Sequence, residues 1–240
     1  MKISVIIPAF NEERLLGATL TQVKSAMTAF TLRDWGIELI VCDNNSTDRT
    51  AEIARAAGAT VVFEPVNQIA RARNAGAAAA TGDWLIFVDA DSQPSAELFS
   101  DVAEQIQSGR YLAGGSTVRM DEKHLLAEFF TWLWNCSSRT GRWLAGSFIF
   151  VEAAAFRNIG GFSDKLFAAE ELELSQRLKR LARETGREIV ILHRHPMLTS
   201  ARKMRLYTIW DHLKLLVRIA FNRRALHNRE SCHLWYDGRR

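Results

Sequence analysis

Short apolar runs alternate with amphipathic stretches along the first half of the chain. The apolar runs are continuous and rich in β-branched residues, which is typical of strands buried on both faces of a parallel sheet. They cover residues 3–8, 37–42, 60–63 and 84–88. The stretches between them have apolar residues at helical spacing and cover residues 12–30, 49–57 and 70–80. This alternation predicts a doubly wound α/β fold with a mainly parallel sheet flanked by helices.

The pattern is less regular in the second half. Strands are predicted at residues 111–118, 148–151 and 189–192, and helices at residues 152–159 and 170–183. Residues 125–134 are rich in aromatic side chains. There is no linker-like segment and no internal repeat, so we predict a single domain. After it, apolar residues recur at helical spacing from Leu206 to Phe221 and predict a C-terminal amphipathic helix.

The composition is that of an ordinary globular protein. Of 240 residues, 48% are hydrophobic and 24% are charged. The first apolar run is too short for the core of a signal peptide, and polar residues at 135–142 interrupt the longest apolar stretch. The cysteines Cys42, Cys136 and Cys232 fit no zinc motif and suit a reducing compartment. We therefore expect a cytoplasmic protein.

Positive charge is concentrated at the C-terminal end. The net charge of the chain is +4, and the segment from Arg194 to Arg240 contains 11 Lys and Arg residues but only 3 Asp and Glu residues. Such a tail suits phosphates, an anionic membrane surface or nucleic acid. It contains no recognisable nucleic-acid-binding module, so we expect no nucleic-acid partner.

Two aspartates, Asp89 and Asp91, stand directly after the apolar run at 84–88. Residues i and i+2 of a strand point to the same side, so the two carboxylates can converge on one cation. Mg²⁺ is commonly held by one or two carboxylates together with the phosphates of a substrate. The alternative is that these residues only end the strand before a helix that begins near Pro94. An EF-hand is excluded, because Pro94 and Ser100 occupy its glycine and glutamate positions.

Polar residues also follow two other predicted strands, at 8–12 and 43–48. In open α/β sheets, ligands bind outside the carboxyl ends of the strands, so these residues and the two aspartates are expected on one rim. The chain has no G-x-G-x-x-G motif after the first strand and no G-x-x-x-x-G-K-[ST] motif anywhere. These absences argue against a dinucleotide-binding fold and against a P-loop.

Six motifs follow one another along the chain, at residues 4–12 (SVIIPAFNE), 41–48 (VCDNNSTD), 72–76 (ARNAG), 89–91 (DAD), 160–162 (GGF) and 170–171 (EE). Their order resembles that of glycosyltransferase family 2, whose members use nucleotide sugars and have the GT-A fold. The resemblance implies a GT-A domain at 1–203, with a nucleotide-binding half at 1–118 and an acceptor half at 119–203. The basic amphipathic helix and tail then occupy 204–240.

The resemblance assigns the D-x-D motif to a divalent metal, Mg²⁺ or Mn²⁺, that stabilises the departing diphosphate. It implies that Asp91 is the direct ligand and that Asp89 contacts the ribose of the donor, or the metal through water. Gln93 is either a further oxygen ligand or an exposed loop residue. For His193 and His195, metal binding and a structural role are the two alternatives.

The donor implied by the resemblance is a nucleoside diphosphate sugar, most often UDP-linked in this family. Arg73 is expected at its diphosphate or its base. Arg202 is a candidate cover for the diphosphate, because it lies in a segment of hydroxyl and cationic side chains. The residues expected at the base and ribose are Pro8, Phe10, Glu12 and Asp43.

An inverting transfer needs a general base for the acceptor hydroxyl, and a carboxylate on the acceptor side serves this purpose. The family usually has Glu-Asp at the start of this helix, whereas the chain has Glu170 and Glu171. Helical periodicity does not choose between the two glutamates. The resemblance aligns Glu171 with the base, and charge complementarity with the helix N-terminus is the alternative for either residue.

The sequence names no acceptor. The C-terminal apolar stripe and the aromatic residues at 125–134 either pack on the domain or rest on an anionic membrane, where the acceptor would be lipid-linked. Rival hypotheses are a retaining transferase or a nucleotidyltransferase on a similar fold. A further rival is a non-catalytic sugar-nucleotide-binding module, because Glu171 stands where the family usually has Asp.

Overall fold

The computed structural model describes residues 1–122, 125–202, 226–228 and 232, with residues 125 and 126 described by their backbone alone. The C-terminal amphipathic helix expected from Leu206 to Phe221 lies outside these residues and stays a prediction. Within the described ranges, no helix combines the length and the apolar character needed to cross a bilayer.

Eight strands form one mixed sheet in the described part of the chain. Their bounds are β1 Lys2–Ala9, β2 Gly36–Asp43, β3 Thr60–Phe63, β4 Trp84–Val88, β5 Ser92–Gln93, β6 Tyr111–Met120, β7 Phe148–Glu152 and β8 Glu188–Thr199. Their order across the sheet is β3-β2-β1-β4-β7-β6-β8-β5. The first four strands run parallel, and β7 is antiparallel to both of its neighbours. The predicted α/β fold and its mainly parallel sheet are therefore confirmed.

Helices cover both faces of this sheet. Their bounds are α1 Leu16–Thr31, α2 Thr50–Ala56, α3 Ile69–Ala79, α4 Ala96–Gln107, α5 Leu125–Gly141, α6 Ala153–Asn158 and α7 Glu170–Glu184. On one face, α1 and α4 pack together through Phe30 and Phe99, whose ring centroids are 5.3 Å apart. On the other face, α3, α6 and α7 surround Phe87 and Phe162, at 5.2 Å. The core is thus divided into two layers by the sheet.

The end of the sheet differs from the sequence prediction. The strand predicted at 189–192 continues to Thr199, and β5 was not predicted at all. The register between β6 and β8 shifts between Ser116 and Val118, so that residues 193–196 (HRHP) bulge out of the ladder before pairing resumes. Gln93 of β5 then pairs with Leu198. The polar bulge hid the second part of β8, because it interrupts the apolar pattern.

Helix α3 lies unusually close to the central strand β1. An added Cβ at Gly76 would lie only 2.5 Å from Ile6 Cγ2, so this position accepts only glycine without rearrangement. The close approach of α3 brings Arg73, one turn earlier, to the carboxyl end of the parallel strands.

Candidate active site

The carboxyl ends of β1 and β2 meet at one rim of the sheet. Asn11 N donates a hydrogen bond to Ser46 Oγ at 3.0 Å and thereby joins the two loops. Asp43 is buried at the end of β2, and its Oδ1 accepts a hydrogen bond from Ser46 N at 3.1 Å. Pro8 lies in the buried part of β1, and Phe10 follows it half-buried. The residues expected at the base and ribose are therefore grouped.

The D-x-D motif forms a tight turn directly after β4. Asp89 O accepts a hydrogen bond from Ser92 N at 3.0 Å, and Asp89 N donates to Ser147 O at 3.2 Å. Between the two aspartates, Ala90 O accepts a hydrogen bond from Thr19 Oγ1 at 2.8 Å. These bonds fix the turn, and β4, which ends directly before it, lies beside β1 in the sheet.

Arg73 connects the D-x-D motif to the start of α7. Only 1% of its side chain is exposed. Nη1 donates to Glu170 Oε1 at 2.7 Å, while Nη2 donates to Asp89 Oδ1 at 2.9 Å and to Gly146 O at 2.8 Å. Its guanidinium also lies 5.1 Å from the ring centroid of Phe162. Burial opposes the charge, but the neighbouring carboxylates outweigh burial and raise the pKa of Arg73. Arg73 is therefore a permanent internal cation.

The two glutamates at the start of α7 have different environments. Glu170 is buried and is committed to the ion pair with Arg73. Glu171 is partly buried, and burial together with the charge of Glu170 raises its pKa to about 8. In its ionised form, a carboxylate with a raised pKa is a stronger proton acceptor than an ordinary carboxylate. The structure thus distinguishes two residues that periodicity left equivalent.

A cavity of about 70 Å³ lies between the D-x-D motif and α7. Arg73, Asp89, Gly146 and Glu171 are among the residues that line it. Gly146 leaves room there, since an added Cβ would lie 3.2 Å from Arg73 Nη2 and 3.7 Å from Glu171 Cδ. Sequence reasoning missed Gly146, because the segment before β7 has no regular pattern that marks it.

Arg202 holds two of the expected site carboxylates together. Its Nη1 and Nη2 donate to Glu12 Oε2 at 2.9 Å and to Glu12 Oε1 at 2.7 Å. Nη2 also lies 3.5 Å from Asp91 Oδ2. Burial lowers the pKa of Arg202, but the hydrogen bond and charge of Glu12, with the charge of Asp91, outweigh it and raise the pKa. Arg202 therefore joins the loop after β1 to the D-x-D motif.

Gln93 and the two histidines lie elsewhere around β8. His195 Nδ1 is 3.0 Å from Asp101 Oδ2 of α4, and His193 is exposed. Gln93 and His195 line a separate groove of about 450 Å³, whose lining includes neither aspartate of the D-x-D motif. In the described ranges, no three His, Cys, Asp or Glu side chains are grouped to hold a metal by themselves. The structure thus supports the structural alternative for His195, through its contact with Asp101.

A family model described as "Glycosyl transferase family 2" matches residues 4–152 of the chain. An uncharacterized glycosyltransferase of Mycobacterium bovis is 34% identical over 113 residues, which is 47% of this chain and 47% of that protein. The chain thus matches about half the length of this curated relative.

Two solved structures share the fold. One is the mannosyltransferase PcManGT from Pyrobaculum calidifontis in complex with GDP-Man and Mn²⁺. It matches with a TM-score of 0.67 and 19% sequence identity, over 94% of this chain and 61% of the PcManGT chain. The other is S. aureus TarS 1–349 in complex with UDP-GlcNAc. It matches with a TM-score of 0.65 and 19% sequence identity, over 99% of this chain and 79% of the TarS chain. At these identities the likeness extends to the GT-A fold alone.

Proposed function

The chain belongs to glycosyl transferase family 2, and on that premise we propose that it transfers a sugar from a nucleoside diphosphate sugar to an acceptor hydroxyl. The observation that carries the proposal is the meeting of Asp89, Arg73 and Glu171 around one cavity at the end of β4. A carboxylate of the donor side and a carboxyl group of raised pKa lie there within one network. Sugar transfer needs both a site for the diphosphate and an acceptor of the hydroxyl proton.

The proposed donor site lies over the ends of β1, β2 and β4. Asp43 is suited to accept hydrogen bonds from the ribose hydroxyls or a base N–H, because a carboxylate has only acceptor oxygens. TarS and PcManGT form complexes with UDP-GlcNAc and GDP-Man, respectively, so both nucleotides are candidates. We expect a UDP-linked donor, the commoner kind in the family.

A divalent metal fits the residues of this site. Asp91 and Asp89 supply carboxylate oxygens, and the guanidinium of Arg202 beside Asp91 marks this point as favourable for positive charge. Such a sparse donor set suits Mg²⁺ or Mn²⁺, which keep waters and take further ligands from substrate phosphates. Asp91, with Asp89, would hold the metal, whose charge would offset the charge that develops on the leaving diphosphate.

Glu171 is the proposed general base. The acceptor oxygen forms a bond to the anomeric carbon while the bond from that carbon to the diphosphate oxygen breaks, and the hydroxyl proton passes to Glu171. Attack from the side opposite the diphosphate inverts the anomeric configuration. Glu170 is the poorer candidate, because its carboxylate is already bound by Arg73 at 2.7 Å.

Nucleotide binding tests the donor site. The protein is titrated with UDP and with GDP, in the presence and absence of Mn²⁺. We expect Mn²⁺ to tighten nucleotide binding, and Asp91→Asn to lose the metal-dependent part. Glu97→Gln removes another carboxylate of the same sign, on α4, and should behave as wild type. Binding that ignores Mn²⁺, or an unchanged Asp91→Asn variant, would contradict a metal-assisted donor site.

Turnover tests the base. Release of the nucleoside diphosphate is followed with a panel of acceptors, and Glu171→Gln should lower kcat by about 10²–10⁴-fold. Glu171→Asp keeps a carboxylate and should retain measurable turnover. Full activity of Glu171→Gln would exclude Glu171 as the base.

The products of turnover also test the rival functions. Retention of configuration at the anomeric carbon would favour a retaining transferase, and release of pyrophosphate from a nucleoside triphosphate would favour a nucleotidyltransferase. Tight donor binding without turnover would favour a binding module.

A lipid-linked acceptor is proposed on a separate observation. Helix α5 exposes a cluster of large apolar side chains, Phe129, Phe130, Trp132 and Leu133. An aromatic cluster of this kind, together with a basic tail, suits the surface of an anionic membrane.

Sedimentation with lipid vesicles tests the membrane contact. Anionic vesicles that contain phosphatidylglycerol are compared with neutral vesicles. A Phe130→Ser/Trp132→Ser variant should lose binding, whereas Phe63→Ser on β3, also exposed, should keep it. Equal binding of all variants, or none to anionic vesicles, would contradict this contact.

A further inference from the structure

The two aspartates of the D-x-D motif are paired with different arginines. Asp89 accepts from Arg73, which is enclosed and held by three partners. Asp91 lies beside Arg202, which is anchored mainly on Glu12. Asp89 therefore has a counter-ion that is fixed in place, whereas the counter-ion of Asp91 is held mainly by another residue, Glu12.

We propose that Arg202 is a built-in counter-ion of Asp91 that a divalent metal displaces, and that its displacement frees the guanidinium for the phosphates of the donor. The inference rests on the proposed function, because Asp91 is taken as the metal ligand. Its consequence is that Arg202 weakens metal binding in the donor-free protein and strengthens binding of the donor.

The distances make the contact with Asp91 the weaker of the two. Arg202 binds both oxygens of Glu12 at 2.9 and 2.7 Å, a bidentate arrangement of the strong kind. Its contact with Asp91 Oδ2, at 3.5 Å, lies at the outer limit of a hydrogen bond. The guanidinium can therefore lose Asp91 while Glu12 continues to hold it.

Arg202 and a divalent metal would compete for the carboxylate of Asp91, and burial strengthens this competition. The side chains of Arg202 and Asp91 are each 11% exposed, so water screens their attraction less than it does at the surface. A divalent ion has twice the charge and binds carboxylate oxygen at about 2.0–2.6 Å, so it can replace the guanidinium. In its absence, the arginine lowers the negative potential that attracts the metal.

The freed guanidinium has donors for a phosphate. Nη2 would no longer face Asp91, and Nε is buried with no hydrogen-bond partner among the described residues. Nε and Nη2 lie on one edge of the guanidinium fork, which binds phosphate oxygens in pairs. Arg202 can thus keep both hydrogen bonds to Glu12, from Nη1 and from one hydrogen of Nη2, while Nε and the other hydrogen of Nη2 bind the donor.

Metal binding without any turnover tests this inference. Free Mn²⁺ is measured by electron paramagnetic resonance during titration of the donor-free protein and of the protein with saturating UDP. The variants are Arg202→Gln, which removes the charge, and Arg202→Lys, which keeps it. Arg194→Gln is the matched control, since it removes an exposed arginine from β8. A Glu12→Gln/Arg202→Gln variant serves if the single variant does not fold, because it also removes the negative charge that Arg202 neutralises at Glu12.

Without UDP, we expect Arg202→Gln to bind Mn²⁺ about three- to ten-fold more tightly than wild type, as one nearby charge predicts. The Mn²⁺ affinities of Arg202→Lys and Arg194→Gln should stay within about two-fold of the wild-type value, because neither variant loses a charge next to Asp91. The UDP affinity of the Mn²⁺-loaded Arg202→Gln protein should fall instead. Equal or weaker Mn²⁺ binding by Arg202→Gln, or no Mn²⁺ binding by any form, would overturn the inference. The predicted Mn²⁺ response in a protein without turnover would leave it standing and contradict the proposed function.

Discussion

Arg73→Gln should destabilise the protein strongly, because it removes the cation on which two carboxylates depend. Breaking a buried ion pair by removing one partner typically costs about 3–5 kcal/mol. The side chain of Glu170 is 5% exposed and would bear most of this cost, whereas Asp89, at 24%, would bear less because water screens it. In a protein of this size, 1 kcal/mol lowers the melting temperature by about 2–4 °C. We therefore expect a loss of about 6–20 °C, obtained from the same scaling.

Differential scanning calorimetry measures this loss against a control on the same helix. Arg71 makes a single ion pair with Glu64 at 3.2 Å, and its side chain is 39% exposed. Arg71→Gln should therefore change the free energy of unfolding by no more than about 1 kcal/mol. An Arg73→Gln/Glu170→Gln variant should recover part of the stability, because it removes the unpaired buried carboxylate. If Arg73→Gln and Arg71→Gln had the same melting temperature, the energetic role assigned to the Arg73 network would be wrong.

Three further predictions concern pH and packing. The pKa of Glu171 is raised from 4.5 to about 8, so the folded protein binds the proton of this carboxyl group more tightly than the unfolded chain does. The contribution of this proton to the free energy of unfolding is therefore fully present below pH 4.5 and is lost as the pH rises to about 8. Glu171→Gln should remove that slope from calorimetric pH profiles, and an unchanged slope would contradict the assignment. Burial would raise the pKa of Glu38, but hydrogen bonds from Lys2 and other neighbours outweigh it and lower the pKa to about 2. Stability from Glu38 is therefore present above pH 4.5 and lost as the pH falls to about 2, and Glu38→Gln should flatten the acid limb of urea unfolding. Gly76→Ala should cost about 1–3 kcal/mol by overpacking against Ile6, and an unaltered denaturation midpoint would count against this close contact.

The parallel half of the sheet could be predicted from the sequence because its signals are local. Apolar runs that fill both faces of a strand, with helical spacing between them, need no information from distant residues. β8 was predicted too short for the same reason. Its second part follows the polar bulge at 193–196 and is held by pairing with Val118 and Gln93 on other strands.

The sequence by itself determined the α/β fold, the rim that gathers the polar residues after β1, β2 and β4, and the D-x-D turn. Only the tertiary structure gave Glu170 and Glu171 their different environments and assigned the arginines to their carboxylates. Arg73 and Glu170 are 97 residues apart, and Arg202 and Glu12 are 190 apart. Helix and strand periodicity act over a few residues, whereas a buried charge is stabilised by whichever opposite charge the completed fold brings within hydrogen-bond distance.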